Sequence, residues 1–144
     1  MLLRLPLVFL CTVSCAFAAE PRPSAAAISL NPAALEFARQ LISEGRIVFD
    51  RKGLWAMHHP NRAAENEFIR VHGFSEYARW HLGIDERHPE NTKARYKFPF
   101  GDFENLHRCG LLAVRSRARQ FGYPDIEAAS AELLNDNELN RPRR

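Results

Sequence analysis

Four segments with apolar residues at helical spacing each open on a capping residue and close on a glycine. This punctuation constrains the fold more than any other feature of the 144-residue chain. Asn31 followed by Pro32 opens the first, Gly45 closes it, and Leu35, Ala38, Leu41 and Ile42 recur between them, flanked by Phe37. Asn61 opens the second, which runs from Arg62 to about His72 and stops at Gly73, with Ala64, Phe68, Ile69 and Val71 on its buried side. Ser75 opens a short third helix through Leu82, closed by Gly83. Asp102 caps the longest, Phe103 to Phe121, which Gly122 terminates. Beyond Tyr123-Pro124-Asp125 a last helix runs from Ile126 to about Leu134. The expected fold is therefore all-α, or nearly so, with about five helices around one core.

Two stretches do not fit this period. Ile47, Val48 and Phe49 form an apolar run too short to separate a strand from a turn that packs inward. Between Ile84 and Gly101, Lys93, Arg95 and Lys97 alternate with Ala94, Tyr96 and Phe98, a period of two that implies extended chain. Pro99 and Gly101 keep this segment from being a central strand, so it reads as an extended aromatic strap before the longest helix.

The start of the chain has the form of a secretory signal: Arg4, an apolar stretch from Leu5 to Val13, then Ala16 and Ala18 at the −3 and −1 positions of a cleavage site. Glu20, Pro21, Arg22 and Pro23 end the apolar run well short of the roughly 20 residues that a membrane span needs. The expected organisation is a signal peptide over 1–18, a flexible Ala/Pro/Ser lead-in over 19–30, one helical domain over 31–135 and a polar basic tail over 136–144. The destination is the periplasm or the cell exterior. Lipidation of Cys15 is a minor alternative, since Thr12 departs from the lipoprotein pattern.

Cleavage would remove Cys11 and Cys15 and leave Cys109 as the one thiol, so stability must come from a core and not from disulfides. Its apolar surroundings suggest a buried, protonated, inert thiol. The formal net charge is only +3, and Arg141, Arg143 and Arg144 crowd the last four residues, which is not the charge excess of a nucleic-acid binder. The strap does set cations beside Tyr96, Phe98, Phe100 and Phe103, as single-strand binders do. With so small a net charge, the rings are expected to be core and the cations solvated.

On the longest helix, Arg108, Arg115 and Arg119 fall within about 40° of one another, opposite Phe103, Leu106, Gly110, Ala113, Val114 and Phe121. The stripe is either a solvated face or a docking face for an anion or an acidic protein partner. Arg117 falls inside the apolar face, where it must pair with a carboxylate (Glu65, Glu67 or Glu76 are candidates), reach past the core edge, or line a pocket. Of these, pairing is expected.

Signatures of chemistry are scarce. There is no G-x-S-x-G elbow, P-loop or dinucleotide fingerprint. The six histidines lack the i, i+4 spacing of H-E-x-x-H, and His107 and Cys109 would point about 200° apart on a helix. No metal and no cofactor is expected, and catalytic residues are left unassigned.

The runs Tyr96-Lys97-Phe98-Pro99-Phe100-Gly101-Asp102-Phe103, His107-Arg108-Cys109-Gly110-Leu111-Leu112-Ala113, Ser116-Arg117-Ala118-Arg119-Gln120-Phe121 and Asp125-Ile126-Glu127-Ala128-Ala129, together with Trp80-His81-Leu82-Gly83-Ile84-Asp85, resemble a group of small uncharacterised bacterial proteins. The resemblance spans about residues 33 to 134. It implies a bacterial source and one intact domain, with strap, Asp102 cap and long helix as a packing unit, and it supplies no activity. The export signal is this chain's departure from the group.

The functional expectation is thus an exported, non-enzymatic binding or interaction module using Arg108, Arg115, Arg117 and Arg119. The alternative is a small exported hydrolase with an acid–base site built from His81, His107 and a carboxylate such as Glu76.

Overall fold

The first helix forms where the sequence places it. Pro32–Ser43 (α1) starts on Asn31, whose side-chain oxygen accepts the Ala34 N–H, and it buries Ala34, Phe37, Ala38, Leu41 and Ile42. The structure is a computed structural model, and it describes residues 28–136. The signal peptide over 1–18, the lead-in as far as residue 27 and the tail beyond Asp136 lie outside the described residues.

The chain is mixed α/β and not all-α. Besides α1 there are β1 (Ile28–Leu30), β2 (Ile47–Val48), α2 (Trp55–His58), α3 (Arg62–Ala78), β3 (His81–Asp85), β4 (Tyr96–Pro99), β5 (Leu106–His107), α4 (Arg108–Phe121) and α5 (Pro124–Asn135). One sheet has the order β1-β3-β4 and is antiparallel throughout; the other pairs β2 and β5 in parallel. Residues 28–30, assigned above to the lead-in, are the strand that pairs Leu30 with Gly83 and Ile28 with Asp85.

Two physical causes separate this from the helical expectation. The glycine after Leu82 stops no helix: it lies in the central strand because the sheet needs a close approach there. A Cβ on Gly83 would come within 2.7 Å of the Phe98 ring and 3.0 Å of Ile28. Helix α3 runs only to Ala78, with its break at Gly73, whose φ of 80° few other residues tolerate. Central β3 is buried on both faces, so its apolar residues do not alternate and its period is unreadable.

Helix α4 begins at Arg108, five residues later than Asp102 and Phe103 imply. Asp102 caps a turn, accepting the N–H groups of Glu104 and Asn105. The strap consists of a 3₁₀ turn over Lys93–Arg95 and then β4, which takes the edge of its sheet as Pro99 requires. Its rings are in the aromatic packing as expected. Phe100 is fully buried, and Phe103 stacks on Phe68 with centroids 4.2 Å apart.

The core forms where α1, β3, α4 and α5 meet, around Leu41, Leu82, Leu111, Ile126 and Leu133. Helix α3 lies at the periphery: Tyr77 is its one buried residue, and Val71, expected inside, is exposed. No helix among the described residues is long and apolar enough to cross a membrane.

Asn31 joins these layers. It caps α1 and is itself buried, and its amide donates to the carbonyls of Ala78 (2.9 Å) and His81 (3.1 Å), where α3 gives way to β3. Asn31→Ala removes the cap and strands two carbonyls, so it is expected to cost about 2–4 kcal/mol. Asn31→Ser restores only the cap, about 1 kcal/mol of that loss. Urea unfolding checks both, and an alanine variant as stable as wild type contradicts the assignment.

Candidate metal centre

The parallel pairing of β2 with β5 puts Ile47 opposite Leu106 and Val48 opposite His107. Asp50, two residues beyond β2, therefore arrives at the first turn of α4. That turn lacks a cap of its own, because His107 in the N-cap position makes no side-chain cap bond. Asp50 takes over that role from a distant part of the chain: its Oδ1 accepts the Cys109 N–H at 2.6 Å. A carboxylate placed here satisfies an orphan donor and faces the positive end of the helix dipole.

The other oxygen, Oδ2, is where the side chains converge. His58 Nδ1 lies 2.6 Å away, His107 Nδ1 2.7 Å and Cys109 Sγ 2.9 Å, while Sγ and His58 Nδ1 are 3.6 Å apart. One ligand atom from each of Asp50, His58, His107 and Cys109 lies within 4.8 Å of all the others. Beyond this group, His107 Nε2 is 3.0 Å from Asp102 Oδ2, so Asp102 fixes the ring from behind. The cluster is sheltered: side-chain exposure is 5% for Asp50 and 7% for His107, with His58, at 30%, forming the open side.

The electrostatics follow from this packing. Burial works against the Asp50 carboxylate, but the hydrogen bonds from Cys109, His107 and His58 outweigh it and lower its pKa to about 2. Burial, and then the adjacent Asp50, push the Cys109 thiol up to about 12. Burial likewise disfavours the His107 cation, yet Asp102 and Asp50 together raise its pKa. A thiol beside a carboxylate is a weaker nucleophile than one activated by an imidazole alone.

This cluster was not visible in the sequence, and the His107–Cys109 geometry shows why. The 200° separation assumed one helix through both residues, whereas His107 is extended and Cys109 is in the first helical turn. Across that junction both side chains face Asp50. The local signal available was the H-x-C triplet at a strand-to-helix transition. Nothing in the Asp50–His58 segment, which has no period, points to the remainder.

The four arginines expected to act together are divided. Arg108, Arg115 and Arg119 occupy one side of α4, with Arg119 4.0 Å from Glu127. Arg117 is exposed on the other side and, of the three outcomes considered, it lines a pocket. The expected pairing is not made, because Glu65 pairs with Lys93, Glu67 with Arg70 and Glu76 with Arg79. Phe103 and Leu106, which helical spacing places on the apolar face, precede the helix. With Gly110, Leu111, Val114 and Ala118 defining the buried side, Arg117 sits at its margin with Ala113 and Phe121. These three residues form one wall of a cleft of about 580 Å³, whose other walls include Trp55, Lys97, Phe98 and Tyr123.

The suggested acid–base set does not assemble either. His81 is buried and its Nδ1 faces the Tyr77 carbonyl at 2.8 Å, while His107 is engaged by Asp50 and Asp102. Comparisons with protein families, curated proteins and solved structures found no match. The class of protein is therefore defined by its own architecture: a small mixed α/β domain with a sheltered Asp/His/His/Cys cluster at a strand–helix junction.

Burial lowers the His81 pKa to about 4 from an ordinary 6.5, against smaller raising contributions from the Tyr77 carbonyl and the Glu65 charge. The unfolded chain takes up this proton near pH 6.5 and the folded chain only near pH 4. Stability is thus expected to fall as pH drops through that window, by up to about 3 kcal/mol. His81→Leu removes this component. Urea unfolding at pH 7 and pH 4.5 measures it, and an equal decline in the variant refutes the assignment.

Proposed function

We propose that this chain is a metal-binding protein whose centre holds one divalent transition metal ion, of the zinc class, through Asp50, His58, His107 and Cys109. The observation that carries the reading is the convergence of four ligand atoms of mixed type within 4.8 Å. A thiol and two imidazoles with a single carboxylate suit zinc and its neighbours, and not calcium or magnesium, which take oxygen ligands.

The contact between His107 Nε2 and Asp102 supports the same reading. A ligating histidine whose far nitrogen is held by a carboxylate has its tautomer and ring orientation fixed, a recurrent feature of metal sites. In this protein it aims Nδ1 at the cluster. The high pKa of the Cys109 thiol is no obstacle, since a coordinated thiol loses its proton to solvent and the ion replaces it.

Four protein donors complete a tetrahedral shell, which favours holding the ion over activating a bound water. The reading is thus of a metal-holding role, in place of both the Arg-face module and the hydrolase considered from sequence. Export, as read from residues 1–18, would expose a lone thiol to an oxidising compartment, and ligation would protect it there.

Zinc is expected to bind the metal-free full-length protein at one equivalent per chain in isothermal titration calorimetry and native mass spectrometry. It should stabilise the fold by about 3 kcal/mol at a hundredfold excess over the dissociation constant. Cobalt substitution should give the thiolate charge-transfer band and the intense visible bands of a tetrahedral site. Cys109→Ser should abolish the charge-transfer band. The absence of stoichiometric binding of either ion by folded protein overturns the proposal. Asp102→Asn, which keeps the turn acceptor but not the charge behind His107, should weaken zinc binding by about 10- to 100-fold without touching a ligand. An unchanged affinity would show that Asp102 does not position His107.

A further inference from the structure

The cleft beside Arg117 has a chemistry of its own. Its floor and walls are largely apolar, with Phe98, Val114, Phe121 and Tyr123 contributing, and its volume of about 580 Å³ lies in the range of small-molecule sites. Phe121 is 54% exposed at this surface, a large apolar side chain left without cover. Phe98 has a φ of 61°, an unusual conformation for a residue with a side chain. Its ring lies over Gly83 and meets Tyr123 edge-on, with centroids 5.7 Å apart.

The charges around this surface are unbalanced. Arg87 is neutralised by the buried Asp85, which accepts from its Nε and Nη2 at 2.8 Å each. Lys97 and Arg117 have no ion-pair partner among the described residues. The two cations come from different elements, β4 and α4, and both line the cleft. His59 and His88 add further polar edges, and Asp85 is the one carboxylate in the lining.

We propose that this cleft is a binding site for a small organic anion with a flat apolar body, its carboxylate or similar head placed between Lys97 and Arg117. A bare inorganic anion would satisfy the cations and leave the aromatic surface uncovered, whereas a neutral apolar ligand would leave the cations without a counter-charge. The site goes beyond the metal centre and does not depend on it: none of the four metal donors lines the cleft. The two adjoin at Trp55, which lines the cleft while its ring centroid lies 6.1 Å from that of His107.

The test is calorimetric titration of the full-length protein at low ionic strength with 2-naphthoate and with its neutral counterpart, 2-naphthalenemethanol. Naphthoate is expected to bind saturably at one site and at least tenfold tighter than the alcohol. Arg117→Ala, at an exposed position, and Lys97→Met, which keeps the half-buried stem on β4, should each weaken naphthoate at least fivefold and leave the alcohol unchanged. Cys109→Ser should retain naphthoate binding, which separates failure of this site from failure of the metal centre. Equal affinity for acid and alcohol, absence of saturable naphthoate binding, or indifference to both charge removals would each overturn the proposal.

Discussion

The carboxylate of Asp50 is where the chain leaving β2, the start of α4 and the candidate metal centre meet. One oxygen caps α4 through the Cys109 amide, and the other receives His58, His107 and the Cys109 thiol. A buried carboxylate is tolerable only when its lone pairs are satisfied, and here every partner is a potential metal ligand or the backbone that carries one. The strand pair β2–β5 exists in only two residues, yet it sets the register that brings Asp50 to this place. Structure and cluster therefore share one set of contacts: the carboxylate that caps α4 also gathers His58, His107 and Cys109.

Around this point lie the two sites proposed above. The cluster is small and sheltered, with four side chains able to act as donors; the cleft is open, largely apolar and fringed by positive charge. Trp55 lies between them, its ring 5.2 Å from His59 and 6.1 Å from His107. Gly110 makes the arrangement possible, since a Cβ there would meet the Phe100 carbonyl at 2.8 Å and the Trp55 ring at 3.0 Å. The first turn of α4 can then lie against both β4's exit and the indole.

Local chemistry carried much of the helical reading. Asn31 and Asn61 accept the N–H groups of Ala34 and Ala64 as their positions imply, and Gly122 adopts the left-handed conformation that ends α4. The same rules failed at Gly83 and Asp102. A glycine marks a helix stop and a tight strand contact with the same letter, and an aspartate caps a turn as readily as a helix. Arg117 was legible as an anomaly, but its place at a cleft depended on where the helix began.

By itself the sequence determined the capping roles of Asn31 and Asn61, the approximate extents of α1 and α5, the start of α3 and its break at Gly73, the end of α4, the burial of Cys109 and the placement of aromatic residues in the packing. Each of these is set by interactions within a few residues or by the cost of leaving apolar surface in water. Only the tertiary structure decided that β1, β3 and β4 form a sheet, that Asp50 and His58 meet His107 and Cys109, and that Arg117 faces a cleft. Most of those outcomes rest on contacts between residues more than fifty apart, such as Asp50 with His107 or Ile28 with Asp85, and even β3 and β4 pair across a loop that carries no helical period. No local period encodes such contacts, because backbone pairing and the convergence of polar side chains depend on which distant segment arrives at the same place.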